Sequence, residues 1–120
     1  MKRIVIVEDD LLLSLLLEKQ VGRMGYNVAA KVISGEEAVE IIRKHDPHLV
    51  LMDIKLVGKM DGIEAIQKVR DFTNVPVLYL TGNSDETTRK RAHTTDPVAY
   101  MVKPVDMNLL KKTILEILGK

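Results

Sequence analysis

Acidic, hydroxyl and basic side chains follow four apolar runs of this sequence, at the point where each run ends. They are Glu8, Asp9 and Asp10, then Asp53, Thr81 and Lys103. Each run is short and mostly aliphatic, which is typical of strands buried on both faces of a parallel sheet. Ligands of such sheets bind beyond the carboxyl ends of the strands, so we expect these side chains to share one crevice.

A crevice with these side chains could bind a divalent cation together with a phosphate. Three or more carboxylates in one crevice repel one another unless a cation lies among them. The sequence has no cysteine and its three histidines stand apart, which leaves oxygen ligands and favours Mg²⁺, with Mn²⁺ as the alternative. Lys103 and Thr81 could each hold a phosphoryl oxygen, and one carboxylate could be the nucleophile that forms an aspartyl phosphate.

Five strands and five helices alternate in the prediction. The strands cover residues 3–7, 27–33, 49–53, 75–80 and 98–102, and the second is an edge strand. The helices run from 11 to 24, from a cap at Ser34 to about 45, from 63 to 72, from a cap at Ser84 or Asp85 to about 95, and from a cap at Asp106 to about 118. This alternation requires right-handed crossovers and a doubly wound parallel sheet between two helical layers, a flavodoxin-like α/β fold.

Length and charge narrow the class of protein. A chain of 120 residues predicts one domain over residues 1–120. A formal net charge of +1 gives no general attraction to nucleic acid or to an anionic membrane. Only Ile4 to Val7 follow the basic start before the acidic residues, which is too short for a signal peptide or a membrane span, so we expect a cytoplasmic protein.

The first helix carries more leucine than one buried face requires. Leu11, Leu12, Leu15 and Leu16 widen its apolar stripe. Either the sheet covers these leucines or a partner does. Because isolated apolar side chains are common on protein surfaces, the favoured prediction is a broad contact with the sheet that leaves one or two leucines exposed.

The residues at the strand ends resemble the receiver domain of two-component response regulators. The resemblance covers essentially the whole chain and rests on Glu8-Asp9, on Asp53 after Leu51-Met52, on Thr81-Gly82 and on Lys103-Pro104. It implies that Asp53 accepts a phosphoryl group and that Thr81 and Lys103 hold this group. It also implies a cis peptide bond between Lys103 and Pro104.

The resemblance further implies a metal-ligand set and a switch. Mg²⁺ would be bound by Asp9 directly, by Glu8 largely through water, by Asp53 and by the backbone carbonyl of Lys55. Asp10 would be an extra member of this set. Tyr100 occupies the position whose aromatic ring swings inward when Thr81 moves, so these two residues would form the switch.

The same resemblance implies the partners. The phosphoryl donor would be a sensor histidine kinase or a histidine phosphotransfer protein, and an unknown downstream protein would read the switch, with no direct nucleic-acid contact and no membrane insertion. Such a protein is not an enzyme beyond assisting its own phosphorylation and dephosphorylation. Since no output domain follows in the sequence, we expect a stand-alone or excised receiver whose signal leaves through the face that bears Tyr100, including by forming a homodimer on phosphorylation.

One segment departs from the family pattern, and two alternatives stay open. Many receivers have a Gly-Ala pair just before the fifth strand, whereas Thr95-Asp96-Pro97 occupies that turn here, so the end of the fourth helix is left open. The first alternative is a docking module that no longer takes phosphate. The second is a Mg²⁺-dependent phosphatase of the haloacid-dehalogenase type, whose Asp-x-Asp motif is disfavoured by Lys55.

Overall fold

A computed structural model describes residues 1–83 and 85–119. The strands are β1 (Arg3–Val7), β2 (Asn27–Val32), β3 (Leu49–Asp53), β4 (Val77–Thr81) and β5 (Ala99–Val102). The helices are α1 (Leu11–Arg23), α2 (Gly35–His45), α3 (Gly62–Val69), α4 (Glu86–His93) and α5 (Met107–Leu118). The strands pair in parallel in the order β2-β1-β3-β4-β5, which confirms the predicted doubly wound sheet and places β2 at an edge.

The core lies on both faces of the sheet because successive strand side chains point to opposite faces. Val5 and Val7 of β1 pack with α2, α3 and Ala92 of α4. Ile4 and Ile6 of the same strand pack with α1 and α5. All residues of β3 and β4 are buried, so the apolar core covers both faces of these central strands. Each large aliphatic side chain buried in this way contributes about 1.5–3 kcal/mol.

The prediction that the sheet covers most leucines of α1 is wrong. The buried residues of α1 are Ser14, Leu17 and Val21, which lie on one face at helical spacing. Leu11, Leu12, Leu15 and Leu16 fall outside this face and are 73%, 67%, 42% and 45% exposed. An apolar surface on α1 therefore remains without a partner among the described residues.

Several element ends differ from the prediction by one to three residues. β4 begins at Val77 because Pro76 has no N–H for the strand ladder, and it includes Thr81. β2 and α1 each end one residue early, α3 ends at Val69, α4 ends at His93 and β5 begins at Ala99. Of the two predicted caps of α4, Asp85 is the cap, and Ser84 lies outside the described residues. None of the helices in residues 1–83 and 85–119 has the length and apolar character needed to cross a membrane.

Gly62 fixes the start of α3 against the end of β3. Its N–H donates to the Ile54 carbonyl at 2.7 Å. A Cβ atom at this position would collide with the backbone carbonyl oxygen of Asp53 and would lie 2.9 Å from Cγ of Met52. The absence of a side chain at residue 62 therefore lets a helix N-terminus close directly on the backbone of Asp53.

We expect Gly62→Ala to destabilise the fold, because the added methyl group must displace the backbone at Asp53. Overpacking of this kind costs about 1–3 kcal/mol and sometimes more. The matched control is Gly22→Ala on α1, where the added Cβ would meet no atom within 4 Å beyond the neighbouring backbone of its own helix, and it should gain roughly 0.5–1 kcal/mol. Urea unfolding followed by circular dichroism measures both, and equal changes in the two variants would refute the tight contact.

Candidate functional site

Three carboxylates meet at the carboxyl edge of the sheet, as the sequence predicts. β1 and β3 are neighbours, with Val7 paired to Met52, so the residues that follow these two lie side by side. Carboxylate oxygens of Glu8, Asp9 and Asp53 lie within 4.8 Å of one another. Glu8 is 1% exposed and Asp53 is 4% exposed, so two of these charges are withdrawn from water.

Lys103 places one positive charge in this cluster. Its backbone N–H donates to the Thr81 carbonyl at 2.8 Å, which ties the residue after β5 to the end of β4. Its Nζ lies 3.0 Å from Oε1 of Glu8 and donates to Oδ2 of Asp53 at 3.2 Å. The Lys103–Pro104 peptide bond is cis, which confirms that prediction.

The cluster has more negative than positive charge, and the pKa values reflect this. The pKa of Asp53 is raised to about 7, mainly by burial and secondly by the neighbouring Glu8 carboxylate, while Lys103 acts against both. Burial alone would lower the pKa of Lys103, but Glu8 and Asp53 raise it above its usual value, so the ammonium stays charged. One ammonium therefore offsets only part of the repulsion.

The two oxygens of the buried Glu8 carboxylate have different partners. Oε2 accepts the N–H of Asp10 at 3.0 Å. Oε1 is paired with the Lys103 ammonium at 3.0 Å, an ion that it shares with Asp53, and it has no further hydrogen-bond partner within the part of the chain that the structure describes. A buried carboxylate oxygen in this condition, beside two further carboxylates and with no sulfur or nitrogen ligand, fits a hard divalent cation such as Mg²⁺ or Mn²⁺.

Two residues of the predicted ligand set are not among the three clustered carboxylates. Asp10 caps α1, because its Oδ1 accepts the N–H groups of Leu12 at 3.1 Å and Leu13 at 3.2 Å. Lys55 lies two residues beyond the end of β3 and is exposed. The roles of Asp10 and of the Lys55 carbonyl in metal binding remain predictions.

Thr81 and Tyr100 are joined through one residue that sequence analysis did not place in the switch. Thr81 is 1% exposed, and its hydroxyl accepts the Asn83 N–H at 3.1 Å. The Tyr100 hydroxyl donates to the Asn83 carbonyl at 3.1 Å. The Arg89 guanidinium lies 4.5 Å from the centre of the Tyr100 ring on the side of α4. The sequence signal for Asn83 was only its place two residues after Thr81.

Known proteins match this chain over nearly its whole length. Residues 4–115 match the family model of the response regulator receiver domain. The transcriptional regulatory protein PdtaR of Mycobacterium tuberculosis is 33% identical over 107 residues, which are 89% of this chain and 52% of that protein. The chain thus spans about half the length of such curated relatives.

Solved structures give the same result. The signal receiver domain of a modulated diguanylate cyclase from Desulfovibrio desulfuricans G20 has a TM-score of 0.89 and 32% identity, covering 98% of this chain and 93% of that chain. A two-component response regulator of the LuxR family from Aurantimonas sp. SI85-9A1 has a TM-score of 0.89 and 27% identity, covering 99% and 86%. The observed sheet order and helix count are therefore those of a known fold.

The charge cluster predicts how stability depends on pH in metal-free protein. The pKa of Asp53 rises from its ordinary 3.8 to about 7 on folding. The proton is thus bound more tightly in the folded state, so its stabilising contribution is complete below about pH 4 and is lost as pH rises through about 7. Asp53→Asn cannot ionise, so its free energy of unfolding should increase relative to wild type between pH 5 and pH 8, by about 3 kcal/mol at most.

Urea unfolding in EDTA at both pH values measures this difference. Asp71→Asn is a matched control, because Asp71 is an exposed carboxylate outside the cluster. It should show no comparable gain. Millimolar Mg²⁺ at pH 8 should narrow the gap between wild type and Asp53→Asn, since a bound cation favours the ionised carboxylate. A gap that stays constant from pH 5 to pH 8 would count against the raised pKa.

Proposed function

Because this chain belongs to the response regulator receiver domain family, we propose that it is a phosphorylation-dependent switch of a two-component phosphorelay. Residues 1–120 would form one receiver domain. A sensor histidine kinase or a histidine phosphotransfer protein would supply the phosphoryl group, and Asp53 would accept it. The observation that carries this proposal is the Lys103 ammonium held 3.2 Å from Oδ2 of Asp53 inside a cluster that retains excess negative charge.

The carboxylates have separate roles in the proposal. Glu8, Asp9 and Asp53 would hold Mg²⁺, with Lys55 contributing its backbone carbonyl. When bound, the ion would neutralise charge on the transferred phosphoryl group. Asp53 must be ionised to attack, and its neighbours in the metal-free protein work against ionisation. Cation binding and nucleophile activation would therefore be coupled at this residue.

Transfer would form a bond between an Asp53 carboxylate oxygen and phosphorus while the bond from phosphorus to the donor imidazole breaks. The imidazole leaves with the electron pair of that bond and takes up a proton. The Lys103 ammonium would then bind a phosphoryl oxygen. This movement would be short, because the ammonium already contacts Asp53, the residue that would carry the phosphoryl group. Later attack of water on phosphorus would release inorganic phosphate and restore the Asp53 carboxylate.

The switch would follow from competition for the Thr81 hydroxyl. Before phosphorylation this hydroxyl bonds to the backbone of Asn83. A phosphoryl oxygen offers a stronger, charge-assisted acceptor, so Thr81 would turn toward Asp53 and release Asn83. Tyr100 would then lose the fixed position of its hydrogen-bond acceptor, and the face formed by α4, β5 and α5 would change.

The exposed leucines of α1 suggest where the phosphoryl donor docks. A groove of about 470 Å³ lies beside the site and is lined mainly by apolar side chains of α1, of the segment before α5 and of the first residue of α5: Leu12, Leu13, Leu16, Pro104, Val105 and Met107. Asp10 and Lys103 line the same groove, so a protein seated on the leucines would have its reactive group next to the cluster. Exposed apolar patches of this kind mark interaction sites.

The first test is incubation with Mg²⁺ and acetyl phosphate, followed by intact-mass measurement. Wild type should gain one phosphoryl group, and Asp53→Asn should gain none because the amide is not a nucleophile. Lys103→Ala should be slower by on the order of 10²-fold, the cost of removing one group that stabilises transition-state charge. Lys111→Ala, an exposed lysine of α5, is the matched control and should behave as wild type.

The outcome separates the alternatives. No mass gain in wild type would favour a docking module that does not take phosphate. Steady turnover of an unrelated phosphoester, such as p-nitrophenyl phosphate, would favour the phosphatase. Full labelling of Asp53→Asn would show that the phosphoacceptor is another residue.

The docking surface has its own test. The double variant Leu12→Ser, Leu16→Ser should receive phosphoryl groups at least about tenfold more slowly from an autophosphorylated histidine kinase that labels wild type, because each buried leucine contributes about 1.5–3 kcal/mol. Labelling by acetyl phosphate should be unchanged, since that donor needs no protein surface. Leu115→Ser, at an exposed leucine of α5, serves as control. Equal losses with both donors would indicate damage to the site instead of a docking role.

A further inference from the structure

Helix α4 is poorly anchored by apolar contacts. Its sequence is polar, and Ala92 is its one buried residue. Most helices in proteins are positioned by an apolar face packed on the core. α4 must therefore be positioned mainly by polar contacts, and these contacts differ between its two ends.

Thr95 holds the carboxyl end of α4. Its side chain is buried, and its hydroxyl donates to the Ala92 carbonyl at 2.6 Å. With that proton engaged, the same oxygen accepts from the Tyr79 hydroxyl at 2.7 Å, which links the helix end to the centre of β4. Arg70 Nε donates to the Thr95 carbonyl at 2.9 Å, and Arg70 Nη1 donates to the Val75 carbonyl at 2.7 Å. The end of α4 is thus bonded to β4 and to the end of α3.

A second contact ties the same half of α4 to the start of α3. Arg91 Nη2 donates to Oδ2 of Asp61 at 2.9 Å. The other oxygen of Asp61 accepts the Glu64 N–H at 2.8 Å and caps α3. Asp96 then ends the helix region in a left-handed conformation with φ of 56°, which Asp tolerates better than most residues.

The amino end of α4 is bonded to the switch instead. The Asp85 N–H donates to Oδ1 of Asn83 at 2.9 Å, and Oδ1 of Asp85 accepts the Thr88 N–H at 2.6 Å. Arg89 stacks on Tyr100. These partners, Asn83 and Tyr100, are the ones that the proposed switch would move. The amino half of α4 is therefore bonded to the switch residues, whereas its carboxyl half is bonded to β4 and α3.

We infer that α4 is a lever whose fixed point is the buried Thr95 hydroxyl between Tyr79 and Ala92. This inference rests on the proposed function for its input. Release of Asn83 moves residues 85–89 together with Tyr100, while residues 92–95 keep their bonds to β4 and α3. The Thr95-Asp96-Pro97 turn supplies that fixed point through the Thr95 hydroxyl, which bonds to both Tyr79 and Ala92.

Amide hydrogen exchange of the unphosphorylated protein tests the fixed point without using the switch. In wild type, Ala92 and His93 should exchange at least about tenfold more slowly than Arg89 and Lys90, since local opening begins at the weakly anchored end. Thr95→Val keeps the shape and removes the hydroxyl, so it should erase this difference. Thr95→Ser keeps the hydroxyl and should retain it. Identical exchange in wild type and Thr95→Val overturns the inference.

Amide chemical shifts with Mg²⁺ and beryllofluoride test the motion. Shift changes in wild type should be large at Thr81, Asn83 and Arg89 and at least about threefold smaller from 92 to 95. In Thr95→Val the changes should spread through 92–95. Changes at Thr81 with equally large changes at 92–95 in wild type would overturn the lever alone. No change at Thr81 or Lys103 would overturn the proposed function and the lever with it.

Discussion

The burial of two carboxylates beside a single ammonium is the constraint on which the rest of this structure depends. Glu8 and Asp53 sit at the ends of adjacent central strands, and Lys103 reaches both. Removing an ion from water costs several kcal/mol, and one lysine cannot offset two carboxylates. The charge balance of this cluster is therefore unfavourable without a cation, and this imbalance supports the metal site that we propose here. Glu8 Oε1 and Asp53 Oδ2 share this one ammonium, which is the local result of the imbalance.

Holding like charges together requires a rigid support, and the sheet provides it. β3 and β4 are buried along their whole length, so the strand that carries Asp53 cannot shift to separate the charges. Gly62 brings the start of α3 onto the Asp53 backbone. The Lys103 N–H donates a hydrogen bond to the Thr81 carbonyl, which fixes the backbone that carries the ammonium to the end of β4. The apolar core therefore supplies the stability that the charge cluster removes.

Strand bounds and helix caps are predictable from the sequence where neighbouring residues alone determine them. The bounds of β1 and β3 follow from continuous apolar runs, and the Asp106 cap follows from residue type, so these agree with the structure. The exposure of the α1 leucines is not predictable in this way, because periodicity shows which faces of a helix are apolar but not which face the sheet covers. The hydrogen bonds of Tyr79 and Arg70 to Thr95 join residues that are 16 and 25 positions apart in the sequence. No local sequence pattern indicates such pairs. The charged residues of the site are therefore predictable from the sequence. The contacts that position α4 are visible only in the folded structure.

The energies in the proposed switch are small, and this has a consequence for how it would work. A neutral hydrogen bond such as that of Thr81 to Asn83 contributes about 1 kcal/mol net, and a charge-assisted bond to a phosphoryl oxygen is roughly twice as strong. The difference of about 1 kcal/mol changes a two-state ratio by roughly fivefold, far short of the 10⁴-fold needed to go from 1:99 to 99:1. Thr81 alone would therefore bias α4 only weakly. A decisive change needs additional differential contacts, which the Lys103 ammonium on the phosphoryl group and a partner that binds one position of α4 would each provide.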